Sequence, residues 1–186
     1  MRYLLLLFAM FSFSTAFAGD LHGIVSLGGD FGGDTLLTIT YTDGSQSSLK
    51  AGQGLLFSAG VVYDFSPRFS LQSTIGIKYQ QTQDATNENT SFTRYPLELL
   101  GFYNLNVPSF RFGAGFAYDI SPNVSASGTL ADGTIHFDSA LGEILEADYV
   151  FSKKFVLGAR YTFMRYSTSG VKVNGNSAGF QIGFIF

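Results

Sequence analysis

From residue 20 onward the hydrophobic positions of this chain recur at every second residue. Phe69, Leu71, Ile75, Ile77 and Tyr79 alternate with Gln72, Thr74, Gly76 and Lys78. Successive side chains of a strand point to opposite faces, so this pattern predicts a strand with one apolar and one polar side. Segments of this kind occur at Asp20–Asp30, Gln53–Phe65, Phe69–Gln80, Phe92–Asn104, Ser109–Asp119, Ile135–Phe151, Lys154–Tyr166 and Ser177–Phe186. Each is roughly ten residues or longer, the length a tilted strand needs to cross a bilayer. After the first eighteen residues no run is apolar for the ~20 residues that a spanning helix requires.

The connections sort into two kinds that alternate. Phe65–Arg68, Leu105–Pro108 and Phe151–Lys154 are tight, whereas 31–52, 81–91, 120–134 and 167–176 are longer and polar. Outer-membrane barrels have short periplasmic turns and long extracellular loops, so the alternation assigns the sides. A soluble up-and-down barrel would hide its apolar face inside. Here one face is nearly all apolar and often aromatic, which predicts an inside-out, lipid-facing version. Phe65, Phe69, Tyr103, Phe110, Phe151, Phe155 and Phe186 fall beside the short turns, with Tyr79, Tyr95 and Tyr118 near the opposite strand ends. Those two groups form aromatic girdles. Strict alternation turns Glu143 toward lipid, so either it lies above the membrane edge or a bulge near Gly142 shifts the register.

The two ends of the chain add a route and an address. Met1-Arg2, the apolar stretch Tyr3–Phe13 and Ala16-Phe17-Ala18 have the layout of a cleavable signal peptide over residues 1–18, with residues 19–186 as the mature barrel. At the other end Phe180, Ile182, Phe184 and Phe186 share one face of the last strand. The strand must pair with Asp20–Asp30 to close the barrel and remove both edges. The 186 residues include twenty Phe, ten Tyr and twenty-two Gly but no Cys or Trp, and the formal charge is −3. This leaves no disulfide framework and no thiolate metal site, and the scattered basic residues exclude a nucleic-acid surface.

Taken with the strand count, the terminal aromatic strand resembles the family of small bacterial outer-membrane β-barrel proteins typified by OmpX, OmpW and the transmembrane domain of OmpA. The resemblance implies an eight-stranded antiparallel up-and-down transmembrane barrel in the Gram-negative outer membrane, with both mature termini periplasmic. It also implies outer-membrane lipid and lipopolysaccharide as surroundings. Phe180, Ile182, Phe184 and Phe186 would be the signal read by the barrel-assembly machinery. The chain stops at the barrel, so a cell-wall tether of the OmpA type is not expected.

Candidate chemistry is sparse. Asp64, Lys78, Arg94, Glu98, Arg111, Glu146, Asp148 and Arg160 fall on the polar face. Eight strands leave an interior just wide enough for side chains, so these ions are expected to pair in a filled lumen. His136, Ser139 and Glu143 lie close in sequence, but strand alternation separates them onto two faces, and His22 sits at the far end. Gly28–Asp34 resembles a calcium loop only superficially, because it lacks a tandem period. No metal or other cofactor is expected. Leu37, Ile39 and Tyr41, followed by Asp43-Gly44, predict a β-ribbon in loop 31–52, and Asp132-Gly133 and Asn174-Gly175 repeat the turn signal.

The expectation is therefore a monomeric, non-enzymatic barrel that contributes to envelope integrity and meets a surface partner through loop 31–52. The alternatives are a narrow path for small hydrophobic compounds, as in OmpW, and a lipid A-modifying enzyme.

Overall fold

The structure, a computed structural model, describes residues 19–40, 44–83, 89–105, 109–127 and 133–186. The signal segment, Tyr41–Asp43 of the first ribbon turn, Asp132 of the third-loop turn and Asn106–Pro108 of one short turn lie outside these residues. The described chain forms β1 (Asp20–Gly32), β2 (Thr35–Thr40), β3 (Gln46–Lys50), β4 (Gly54–Ser66), β5 (Phe69–Gln83) and β6 (Asn89–Asn104). It continues with β7 (Phe110–Ser127), β8 (Gly133–His136), β9 (Ala140–Phe151), β10 (Phe155–Phe163), β11 (Arg165–Thr168), β12 (Val171–Asn174) and β13 (Ser177–Ile185).

Eight of these strands close a ring in the order β6-β5-β4-β1-β13-β10-β9-β7, with β7 returning to β6. All eight ring pairings are antiparallel. The last strand closes on the first as the sequence requires, from Ile24 opposite Ile185 to Gly32 opposite Ser177. Gly23 and Phe186 add a reciprocal pair of backbone hydrogen bonds of 2.8 and 2.9 Å. No described wall strand is left with an open edge along its full length, which removes the usual route to edge-to-edge aggregation.

Local chemistry sets the short turns. Ser66 Oγ accepts from the amides of Arg68 and Phe69, and Pro67 supplies a fixed φ. Ser152 and Lys153 both have positive φ, 56° and 57°. Phe151 pairs with Phe155 across them, so Ser152–Lys154 form a tight three-residue connection whose two left-handed residues turn the chain back on itself.

Alternation then places the side chains. Leu21, Leu27, Leu55, Phe57, Ile75, Phe112, Phe116, Phe180 and Ile182 are exposed on the outer wall, with more than half of Phe180's and Ile182's surface uncovered. In water such a wall would be unstable; against hydrocarbon it is the favoured face. The aromatics beside the short turns are exposed as well, and several stack on one another, as Phe151 on Phe155 at 5.4 Å and Phe184 on Phe186 at 6.3 Å.

The structure corrects two strand assignments. The segment 135–151 is not one strand: β8 pairs with the upper end of β7, and β9 begins at Ala140. Between them Phe137 turns inward, and its amide donates to the Pro122 carbonyl at 2.8 Å. Burying a phenylalanine outweighs continuing the ladder. Likewise 154–166 divides at Met164, after which β11 leaves the wall to pair with β12. At Glu143 there is no bulge: the ladder with β7 runs unbroken through it, the ladder with β10 runs unbroken up to it and ends there, and the residue faces outward near the extracellular end of β9.

Candidate functional site: a two-layered lumen under a crown of ribbons

The interior has two layers. In the lower layer, toward the short turns, the wall strands direct charged and amide side chains at one another. Arg111 Nε donates to Asp148 Oδ2 at 2.7 Å and its Nη2 to Gln72 Oε1 at 3.1 Å, while its guanidinium lies 4.0 Å over the Phe102 ring. Arg160 Nη2 donates to Glu98 Oε1 at 2.8 Å, and its Nε lies 3.8 Å from Glu146 Oε2. Gln181 Nε2 donates to Glu146 Oε1 at 2.6 Å, and Thr74 to Glu98 at 3.4 Å. Higher up, level with Arg94, Lys78 pairs with Asp30.

Room for this network comes from missing side chains. A Cβ on Gly158 would stand 2.3 Å from Asp148 Oδ1, and one on Gly179 only 1.7 Å from Asp30 Oδ1. Those two positions on β10 and β13 must be glycine for the carboxylates to lie where they do.

Toward the extracellular end a packed apolar cluster takes over. Phe92, Leu100, Phe102, Phe137, Ile144, Met164 and Tyr166 form one buried group that reaches from the mouth down one side of the interior to Phe102, under the Arg111 guanidinium, with Phe92 and Tyr166 in an edge-to-face contact at 5.8 Å. Leu49 and Ala51 complete it, each fully buried. They belong to the β3 side of the first ribbon, which crosses the barrel mouth. Gln80 holds β3 from below: its Oε1 accepts from the Lys50 amide at 3.2 Å and its Nε2 donates to the Ser48 carbonyl at 3.2 Å. Arg94, fully buried, donates to the carbonyls of Ala51 at 2.6 Å and Gln53, with its guanidinium 4.2 Å over Phe92. The ribbon in loop 31–52 therefore forms as expected, but its base is folded into the lumen.

Near the extracellular end of the wall Tyr166 donates its hydroxyl to Asp119. Burial, with the Asp119 carboxylate beside it, pushes the phenol above its ordinary range, so the group acts as a donor.

The expected lumen residues thus fall in separate clusters. Arg111 with Asp148, and Arg160 with Glu98 and Glu146, are brought together. Lys78 takes Asp30, Arg94 takes carbonyls, and Asp64 stands half-buried at the short-turn rim, 3.4 Å from His22 Nε2. The expected set omits Asp30, Asp119, Gln72 and Gln181, all on polar strand faces. Nothing in the alternation signals Tyr166 or Phe137, because both lie where the strands break.

Among the described residues, open space remains at the short-turn end and on the outer wall. A cup of about 1000 Å³ opens at the short-turn end between Asp20, His22, Asp64 and Lys153, and reaches as far as Arg111. A crevice of about 330 Å³ lies on the outer wall around Glu143 and Arg165. His136 and Ser139 are exposed and make separate contacts: Thr168 Oγ1 donates to the His136 carbonyl at 2.9 Å, and Ser121 N to Ser139 Oγ at 3.3 Å. They form no catalytic grouping with Glu143. Among the described residues no cluster of three His, Cys, Asp or Glu side chains has the arrangement of a metal site.

Above the wall the ribbons are tied into a crown. Asp34 Oδ2 accepts from the Asn174 amide at 2.8 Å, joining the first ribbon to β12. Ser167 Oγ donates to Asp138 Oδ2 at 2.8 Å, joining β11 to the β8–β9 connection.

Residues 3–186 match the family described as outer membrane protein beta-barrel domain. No curated protein sequence matches. Among solved structures, the chain is similar to Ail, the attachment invasion locus protein of Yersinia pestis, in a complex with the heparin analogue sucrose octasulfate. The identity is 12% and the TM-score 0.60, over 90% of this chain and 99% of that one. It is similar also to Neisserial surface protein A, at 13% identity and a TM-score of 0.54, over 90% of this chain and 97% of that one. At these identities the likeness is one of fold.

Proposed function

The chain belongs to the outer membrane protein β-barrel family of the Gram-negative outer membrane, and on that premise we propose that it works without catalysis, as a sealed barrel whose extracellular crown meets molecules at the cell surface. The observation that carries this reading is the double closure of the lumen, by paired ions below and by an apolar layer with β3 across the mouth above. A pore needs a hydrated path, and paired buried ions and packed aromatics leave no room for one. Planar-bilayer recording should therefore show no steady conductance from the folded protein. Reproducible channels, or uptake of small apolar compounds into liposomes abolished by bulky substitutions at Ile144, would replace this reading with a transport function.

The crown is the contact surface in this proposal. It carries Arg165 and Lys172 singly and not as a basic cluster, so a polysulfated ligand of the kind seen with Ail is not the partner its charge favours. Comparing surface partners captured by the intact barrel and by a barrel lacking Thr35–Leu49 tests the role of the first ribbon; identical sets would refute it. Unchanged lipid A after incubation, read by mass spectrometry, is the expected result for a barrel without enzymatic activity.

The proposal includes the biogenesis of the protein. Residues 1–18 are removed on export, and the mature chain begins at Gly19. Phe180, Ile182, Phe184 and Phe186 are recognised by the assembly machinery, and the barrel works as a monomer.

A further inference from the structure

The crevice on the outer wall lies where one ladder stops early. β9 pairs with β7 up to Ala140 opposite Asp119, but with β10 only up to Glu143 opposite Phe163. Ala140, Leu141 and Gly142 therefore have no ladder partner on the β10 side. The departing chain satisfies its own backbone elsewhere: the Met164 amide donates to Asn176 Oδ1 and the Gly175 amide to the Met164 carbonyl, both at 2.9 Å. What remains is a notch of about 330 Å³ with apolar sides, Phe116, Leu141 and Phe163, and Met164 at its floor.

The ladders give the depth of the two charges on this notch. Leu141 stands opposite Tyr118, a ring of the extracellular girdle, and Glu143 opposite Phe116, two residues nearer the membrane centre. Phe163 lies level with Glu143. Arg165 follows two residues further out, about 7 Å along the chain, which returns it to the height of the girdle. Both charged side chains face outward, and among the described residues neither pairs with an oppositely charged side chain.

A carboxylate only accepts hydrogen bonds, and on a lipid-facing wall below the girdle it is costly unless donors meet it. Those donors have to come from the lipid, which on this side of the membrane is lipopolysaccharide. Its lipid A part carries phosphates on the sugar and, just beneath, hydroxyl donors on the 3-hydroxyacyl chains. A glycerophospholipid has a phosphate but no donor beneath it. A cation at the girdle with an acceptor below it therefore matches lipid A, and a lone arginine suits a single phosphate.

We propose that this crevice is a lipid A site. Arg165, at the foot of the crown, holds one phosphate in a charge-assisted hydrogen bond. Glu143 accepts from the hydroxyl of one 3-hydroxyacyl chain, which runs past Phe116 and Phe163 toward the membrane centre. The site rests on the placement of the wall in the outer membrane and not on what the crown meets.

The test is competitive lipid retention. The mature barrel in detergent is offered equal amounts of lipid A, phosphatidylethanolamine and phosphatidylglycerol, and the bound lipids are read by native mass spectrometry. The wild type should retain lipid A at least fivefold over either glycerophospholipid, and at least fivefold over a synthetic lipid A whose acyl chains lack the 3-hydroxyls. Glu143→Leu should retain lipid A and this deoxy analogue equally, because the acceptor that tells them apart is gone. Arg165→Gln should lower retention of both at least fivefold. Arg68→Gln, which removes an exposed cation at the short-turn end, should leave retention unchanged. Heat-induced gel shifts verify folding, and these outward positions leave the ring pairings intact. A glycerophospholipid held as well as lipid A, a wild type blind to the missing hydroxyls, discrimination that survives Glu143→Leu, or an equal loss in Arg68→Gln would overturn the proposal.

Discussion

Removing Arg111 tests whether the lower layer is a set of compensated ions. Its guanidinium satisfies Asp148 at 2.7 Å and Gln72 at 3.1 Å and covers Phe102, while the Asp148 side chain is completely shielded from solvent. Arg111→Met keeps most of the volume and packing but removes the cation paired with the buried Asp148. Breaking one side of a buried pair costs about 3–5 kcal/mol, and the cation–π contact adds about 0.5–2 kcal/mol. Replacing both partners by neutral groups avoids most of this, because no ion is then stranded. Arg111→Met with Asp148→Asn should therefore lie within about 1–2 kcal/mol of wild type. Stability would be read from urea titrations of barrels folded into vesicles, followed by circular dichroism and gel shift. If the single variant loses less than about 1 kcal/mol, or the double variant is as unstable as the single, the lower layer is not held by this pairing.

Other consequences follow from the faces, the ends and the ribbon. Arginine at Ile75 or Leu99, both exposed on the lipid wall midway between the aromatic girdles, should cost about 2–4 kcal/mol, against about 0–1 kcal/mol for Tyr118→Arg near the membrane edge; urea titration measures the gradient. Deleting Phe186 removes the backbone pair with Gly23 and the terminal aromatic, and should slow assembly by reconstituted machinery far more than it alters the finished fold. Arg94→Lys keeps the charge but loses the planar fork over two carbonyls, so the amides of β3 should exchange with deuterium faster while those of β13 do not change. Protein recovered from outer membranes should begin at Gly19, as its intact mass will show.

Alternation made most of the wall legible. A period of two is a property of the chain itself, so the outward set from Leu21 to Ile182 could be assigned before any pairing was known. The polar faces marked the ions but not their partners. Arg94 shows why: its ligands are carbonyls of Ala51 and Gln53, positions whose side chains give no hint of an arginine contact. Phe137, Met164 and Tyr166 escaped for a different reason. Each lies at a break between strands, where tertiary burial decides the direction of the side chain and local periodicity does not. The wall crevice shares that origin, since no pattern in the sequence marks where β10 stops pairing with β9.

The order of the two inner layers has a physical cause. An eight-stranded ring can fill its lumen with ions only if each finds a partner, and the wall glycines at 158, beside Asp148, and 179, beside Asp30, open the space for that packing at both levels. Toward the extracellular end several wall strands rise as ribbons, and water would reach any gap between them. The apolar cluster there gains from excluding water, and the ions that share its level, Lys78 with Asp30 and Arg94 with two carbonyls, each have partners. The cluster around Phe92 and Tyr166 closes only when Leu49 and Ala51 lie against it. The first ribbon is thus part of the barrel's core as well as its surface, and Arg94 and Gln80 fix the base from which the ribbon projects. A partner gripping the far end of β2 and β3 would pull on a rigid mount, which is what a surface anchored in a fluid membrane requires.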